Sequence, residues 1–318
     1  MKRIGLLFLI SLLFFSNCKK DVPINPPNEI PTEGMYVSTQ YIENQIYKHT
    51  DIQYSIRPNY KHLQFTSGKT QIQEQEQDNL FLKMDILVPP NATAEKTQPL
   101  VVFIHGGGFL MGDKSGQGGL IQSYALAGYV IASINYRLTN KNTSSPELRL
   151  KAVMDAQEDA QNAIRYLKKN MDKYFIDTTR VCIMGSSAGG ATALIAAVEA
   201  DNTLFVSDFP KISAKTQATV STGSTLVNED TKNNPGLLHF DSKDVPALIF
   251  HAKETDSSTR CTWTGCAVPT QKLFSEAGVY CSLVAQPDMT HTIDLSVGGD
   301  YWSFIKPLLW DKLKLSKI

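Results

Sequence analysis

Two serines stand side by side in MGSSAGG, residues 184–190, and only one of them is framed by glycines. Ser187 has Gly185 two residues before it and Gly189 two after; Ser186 has no such pair. The preceding RVCIMG (180–185) reads as a buried strand, and the following AGGATALIAAVEA (188–200) as a helix. A serine at a sharp strand-to-helix turn presents its hydroxyl clear of its neighbours, as a nucleophile requires. The helix N-terminus behind it favours developing negative charge. The plainer reading of the same residues is a tight Gly-Ser turn. A second stretch, LVVFIHGGGFLMGD (100–113), puts His105, Gly106, Gly107 and Gly108 directly after another apolar strand. A glycine run lets backbone N–H groups point at an oxyanion without side-chain obstruction. The alternative is a flexible loop. In either case His105 reads as a hydrogen-bonded core histidine that organises the loop and exchanges no protons.

With these two motifs the chain resembles the α/β-hydrolase superfamily, in the esterase and lipase branch that carries an HGGG oxyanion loop. The resemblance runs over about residues 45–315. It implies Ser187 as the nucleophile and an oxyanion hole made by the N–H groups of Gly107, Gly108 and Ala188. Many relatives have Asp where Ser186 stands, so the charge beside the serine differs here. NYRL (135–138) resembles a framework segment of the same branch. The branch orders its remaining catalytic residues as acid, then histidine. In HAKETDSST (251–259) the acid is Asp256, with Glu254 held as the alternative. Relatives place their Asp one residue earlier in this loop, where Thr255 stands. Of the six histidines, His291 in PDMTHTIDL is the one that follows both the acid and the last strand. The implied reaction is acyl transfer from an ester to Ser187 and then to water, without a cofactor. No Cys/His cluster has zinc-like spacing, so no metal is expected.

Composition narrows the alternatives. Thirty-one Lys and Arg offset thirty-one Asp and Glu in 318 residues, which leaves no electrostatic footprint for nucleic acid. The N-terminus, MKRIGLLFLISLLFFSNCKK, has two early positive charges, then an apolar run from Ile4 to Phe15, then Cys18. This is the layout of a secretory signal, too short for a membrane span. Residues 1–17 are expected to be a lipoprotein-type signal and Cys18 the lipidated residue. Residues 18–40, rich in Pro and Asn at their start, are expected to be a tether, and 41–318 the catalytic domain. Membrane attachment would come through the lipid alone. The expected location is periplasmic or cell-surface, on the outer membrane of a Gram-negative bacterium. Cys261 and Cys266 flank TWTG and suit a small disulfide in such a compartment, with Cys281 as a competitor for either. Cys182 lies in a strand-like run and reads as a buried thiol.

These residues need elements to hold them. Apolar strands are expected at 80–89, 100–105, 129–138, 180–185, 218–223, 247–252 and 280–286, and helices at 146–174, 188–200 and 299–314. The alternation predicts an α/β fold with a mainly parallel central sheet and helices on both faces. Sites in such sheets lie beyond the carboxyl ends of the strands, where the chemistry-bearing residues fall. No long apolar lid interrupts 201–217, which favours short-chain esters, and the resemblance suggests acetyl or feruloyl esters of polysaccharides. A surface binding protein that keeps the fold without turnover is the rival reading. Such a protein would be expected to have lost its serine, histidine or glycines, all of which stand here. Composition leaves the oligomeric state open.

Overall fold

The computed structural model describes residues 30–58, 64–65, 72–73, 79–139, 146–201, 206–228 and 239–317. Residues 1–29, with the apolar leader and Cys18, lie outside the described residues. The strands are β1 (Tyr47–Pro58), β2 (Gln64–Phe65), β3 (Ile72–Gln73), β4 (Asn79–Val88), β5 (Gln98–Ile104), β6 (Val130–Ile134), β7 (Ile176–Ser186), β8 (Ala218–Thr222), β9 (Ala247–Ala252) and β10 (Cys281–Gln286). The helices are α1 (Gly118–Leu126), α2 (Pro146–Lys169), α3 (Met171–Tyr174), α4 (Ala188–Val198), α5 (Val268–Glu276) and α6 (Trp302–Lys312). Eight strands form one sheet in the order β1-β4-β6-β5-β7-β8-β9-β10; β2 and β3 pair separately. The links β1/β4 and β4/β6 are antiparallel. Every link from β6 through to β10 is parallel.

Strand β5 shows why its sequence is an unbroken apolar run. Leu100, Val102 and Ile104 face one core, with Ala160, Ile164 and Leu167 of α2 and Ala193 and Ala196 of α4. Val101 and Phe103 face the other, with Tyr124 of α1 and Trp302, Ile305 and Leu309 of α6. A strand covered on both faces has no polar side to alternate with. The parallel links bring the carboxyl ends of β5, β7, β8, β9 and β10 to one edge of the sheet.

The expected strands appear with small shifts, and two differences have clear causes. The strand expected over 129–138 stops at Ile134, because Tyr136 and Arg137 turn inward to make side-chain bonds described below. The tether expected over 18–40 ends sooner than drawn. Tyr36 and Val37 are buried, the Tyr36 hydroxyl bonds to Gln98, and the indole of Trp302 donates to the Val37 carbonyl at 2.8 Å. The segment from Met35 therefore belongs to the folded domain, held by aromatic side chains that a Pro/Asn-rich composition does not reveal.

Candidate active site

Ser187 joins the end of β7 to the start of α4 with φ 54° and ψ −124°, a left-handed conformation that a residue with a Cβ adopts only under constraint. The constraint comes from both sides. Its N–H donates to the Thr222 carbonyl at 2.8 Å, and its own carbonyl accepts from the Ser224 hydroxyl at 2.7 Å. The flanking glycines are explained by contact. A Cβ on Gly185 would overlap the Gly189 carbonyl, and one on Gly189 would overlap the carbonyls of Ile104 and His105. The turn thus closes only when both positions lack a side chain.

The Ser187 Oγ lies 2.7 Å from His291 Nε2. On the other side of the ring, Nδ1 lies 2.9 Å from Asp256 Oδ2 and 3.0 Å from Oδ1. An ionised carboxylate only accepts, so it fixes the proton on Nδ1. Nε2 is then left with a lone pair facing the serine hydroxyl. Asp256 is fully buried and Oδ1 also accepts from the N–H groups of Ser258 (2.9 Å) and Thr259 (2.7 Å) and from the Thr259 hydroxyl (2.9 Å). Burial pushes its carboxyl up, but the His291 bond and the Thr259 donors outweigh that and hold it below the usual carboxylate range. Glu254, the alternative acid, points to solvent.

The glycine loop sits directly against this serine. A Cβ on Gly106 would come within 2.9 Å of the Ser186 carbonyl and 3.1 Å of Ser187 Cβ. Three successive residues then take positive φ: Gly107 (115°), Gly108 (61°) and Phe109 (64°). No described residue accepts a hydrogen bond from the N–H of Gly107, Gly108 or Ala188. His105 is buried, bonds through Nδ1 to the Gly106 carbonyl at 2.7 Å, and stacks on Tyr136 with ring centres 4.5 Å apart. Burial lowers its pKa, so it is a neutral structural ring.

The structure therefore brings Ser187, His291 and Asp256 together, packs Gly106 against Ser187 with Gly107 and Gly108 next in the chain, and opens α4 with Ala188. Sequence reasoning missed the residues that hold His291. Gly223, φ +71°, lies where a Cβ would overlap the His291 carbonyl. The Gln286 amide donates to the carbonyls of Thr290 and His291 at 3.0 and 3.1 Å, and the Ile293 N–H donates to Thr222 Oγ1 at 3.1 Å. The one advance signal was a glycine immediately after the apolar run of β8. Cys261 and Cys266 form a disulfide, and Cys182 and Cys281 are free, with the Cys281 thiol pushed up to about 12 by burial. Among the described residues no cluster of three His, Cys, Asp or Glu side chains could hold a metal ion.

A structure of esterase 2 from Thermogutta terrifontis, in its apo form, aligns with a TM-score of 0.58 over 76% of this chain and 91% of its own, at 21% identity. The chain has the α/β-hydrolase fold. The same esterase phosphorylated by paraoxon aligns with a TM-score of 0.57 at 22% identity. The family model BD-FAE matches residues 84–228 of this α/β-hydrolase-fold chain. Esterase LipI of Mycobacterium tuberculosis is 33% identical over 113 residues, covering 35% of this chain and 32% of LipI. Human arylacetamide deacetylase-like 2 is 30% identical over 132 residues, covering 39% of this chain and 31% of its own length. The chain thus spans about a third of the length of the curated relatives it matches.

Proposed function

We propose that this protein is a serine carboxylesterase that works through an acyl-serine intermediate. The observation that carries the reading is the continuous relay from Asp256 through His291 to the Ser187 hydroxyl. Ser187 Oγ attacks the ester carbonyl carbon as its proton passes to His291 Nε2. The ring becomes positive, and the buried Asp256 carboxylate stabilises it without accepting the proton. The carbonyl oxygen, now negative, meets the unengaged N–H groups of Gly107, Gly108 and Ala188. Collapse expels the alcohol, which takes the proton back from Nε2. Water then attacks the acyl-serine by the same route and releases the acid.

The substrates we propose are short-chain esters, with acetyl or feruloyl groups on polysaccharides as the class. Support comes from the lack of a long apolar stretch in the sequence of 201–217 and from relatives described as esterases. We also place the protein outside the cytoplasm, anchored by lipid on Cys18; the Cys261–Cys266 disulfide is in keeping with an oxidising compartment.

The test is hydrolysis of p-nitrophenyl esters from acetate to octanoate by the wild type, Ser187→Ala and Ser186→Ala. Turnover of the short esters that survives Ser186→Ala and vanishes in Ser187→Ala is the expected result. Paraoxon should add one diethylphosphoryl group to the wild type and none to Ser187→Ala, read by intact mass. A folded protein that neither turns over any ester nor takes up the phosphoryl group would refute the reading.

A further inference from the structure

The disulfide lies against the loop that carries the acid of the relay. Cys261 is the acceptor for the Asp256 backbone: its carbonyl takes the Asp256 N–H at 2.9 Å. Its own N–H reaches the Thr259 hydroxyl at 3.3 Å, and that hydroxyl donates to Asp256 Oδ1. Thr255 and Thr262 pair as an isolated bridge, and the Trp263 N–H donates to the Glu254 carbonyl at 2.8 Å. The strip 259–263 therefore backs the strip 254–256 along its length.

What fixes that backing strip is the second cysteine. Cys261 is only half-buried, whereas Cys266 is buried and its N–H is held by the Thr262 carbonyl at 2.9 Å. Ala267 next to it is fully buried, and α5 follows at once, anchored in the core by Phe274 against Leu194, Ala247 and Ile249. The bond from Cys266 to Cys261 ties the half-buried side of the loop to the buried side. With five residues of separation, the ring it closes is small, so it removes little freedom from the unfolded chain compared with a long-range cross-link. Its effect is concentrated locally, where Asp256 is held.

We propose that Cys261 and Cys266 are positioning residues for the relay: their disulfide keeps the Asp256 carboxylate seated on His291 Nδ1. The proposal rests on the esterase reading for its kinetic consequence, but its geometric core does not. Reduction by dithiothreitol supplies two electrons and two protons, giving two thiols and the reagent's cyclic disulfide. Cys261 is then released from Cys266, and the acceptor of the Asp256 N–H loses its tether.

The experiment compares oxidised wild type, dithiothreitol-reduced wild type and the Cys261→Ser/Cys266→Ser double variant on p-nitrophenyl acetate. Reduction should lower kcat by about tenfold, within the range a displaced catalytic group costs, with KM nearly unchanged. The double variant should show the lowered kcat and no response to reductant. In an Asp256→Ala background the effect of reduction on kcat should disappear, because there is no carboxylate left to misplace. The fold is followed by circular dichroism throughout, and if the double variant does not fold, reduction of the folded wild type supplies the comparison. A readout independent of turnover is the downfield proton resonance of His291 Nδ1–H bonded to Asp256, assigned by its loss in Asp256→Asn. It should weaken or broaden on reduction. An unchanged resonance and unchanged kcat in the reduced, folded enzyme would overturn the proposal, as would an equal kcat loss in the Asp256→Ala background. Absence of turnover in the oxidised wild type would count against the esterase reading alone, and the resonance would still decide this one.

Discussion

The Tyr136 hydroxyl donates to the carbonyl of His105 at 3.1 Å, while its ring stacks on the His105 imidazole. Three residues on, the Thr139 N–H donates to the Phe109 carbonyl at 2.8 Å. The glycine loop is therefore gripped at its first and last residues by the segment that follows β6. That grip matters because positive φ at Phe109 is unfavourable for a bulky residue, by about 1–3 kcal/mol, and persists only where neighbours impose it. The framework expectation for NYRL thus acquires a specific content: it holds the glycine loop that packs against the candidate nucleophile through Gly106.

Tyr136→Phe keeps the stack and removes one hydrogen bond. The expected stability loss is about 1 kcal/mol, read by urea denaturation, since the His105 carbonyl loses its donor. Ester turnover should fall several-fold in kcat with KM little changed, because a looser loop weakens contacts made only to the oxyanion. A variant with wild-type kcat would show that the stack alone suffices.

Asp256→Asn separates orientation from charge. The amide can donate to Nδ1, which places the proton on Nε2 and leaves the serine without a base; a loss of about 10⁴ in kcat is expected. The same substitution has a pH signature in stability. The folded Asp256 carboxyl sits below its ordinary value of 3.8, so in acid the group binds fewer protons when folded than when unfolded. Its contribution is complete above that ordinary value and is lost as pH falls through the lower, folded one. The stability gap between wild type and Asp256→Asn should therefore be constant near neutrality and shrink in strong acid. A gap that stays flat below the ordinary carboxylate range would contradict the lowered pKa.

The buried charges behind Tyr136 should respond unequally. Asp159 is fully buried and accepts the Arg137 N–H at 2.8 Å, and its carboxylate meets the Arg137 guanidinium at 2.9 Å. Arg137→Met leaves that carboxylate with the backbone N–H of position 137 and the more distant Arg57 guanidinium at 3.9 Å, so a cost of about 3 kcal/mol is expected. Asp159→Asn is milder, because Arg137 retains Glu158 at 3.0 Å and Asp155 at 3.2 Å. Chemical denaturation of the two variants checks the order, and equal losses would argue that Arg137 acts through packing.

Much of this arrangement could be read from the sequence where the chemistry demands a local pattern. Ser187 and its glycines are such a pattern, because the turn fails sterically without them. So is the unbroken apolar run of β5, because both faces of that strand are covered. His291 came from the acid-then-histidine order that the resemblance implies. What could not be read were contacts between segments far apart in sequence. Gln286 on the His291 carbonyl, Trp302 on Val37 and Arg137 on Asp159 depend on where elements pack, and no local signal marks them. The choice of Asp256 over Glu254 also had to wait for the loop, since both are short-range neighbours and only one turns inward.

The glycines themselves provide the sharpest contrast. At Gly108 a Cβ meets nothing within 4 Å, so Gly108→Ala bears only the cost of φ 61°, about 1–2 kcal/mol. The protein should fold and keep most of its turnover. Gly189 lies in α4 with ordinary backbone angles, yet a Cβ there would overlap the carbonyls of Ile104 and His105 at the end of β5. Backbone of a central strand cannot give way as a flexible side chain can, so α4 must move instead. Moving α4 displaces Ser187 from His291, and a shift near 1 Å is enough to cost about 100-fold in rate. Gly189→Ala is therefore expected to lose nearly all turnover even in the fraction that folds, whereas Gly108→Ala is not. Comparing kcat with thermal melting for the two variants decides the matter. If Gly189→Ala retained wild-type kcat, the close approach of α4 to β5 would not be what sets the serine.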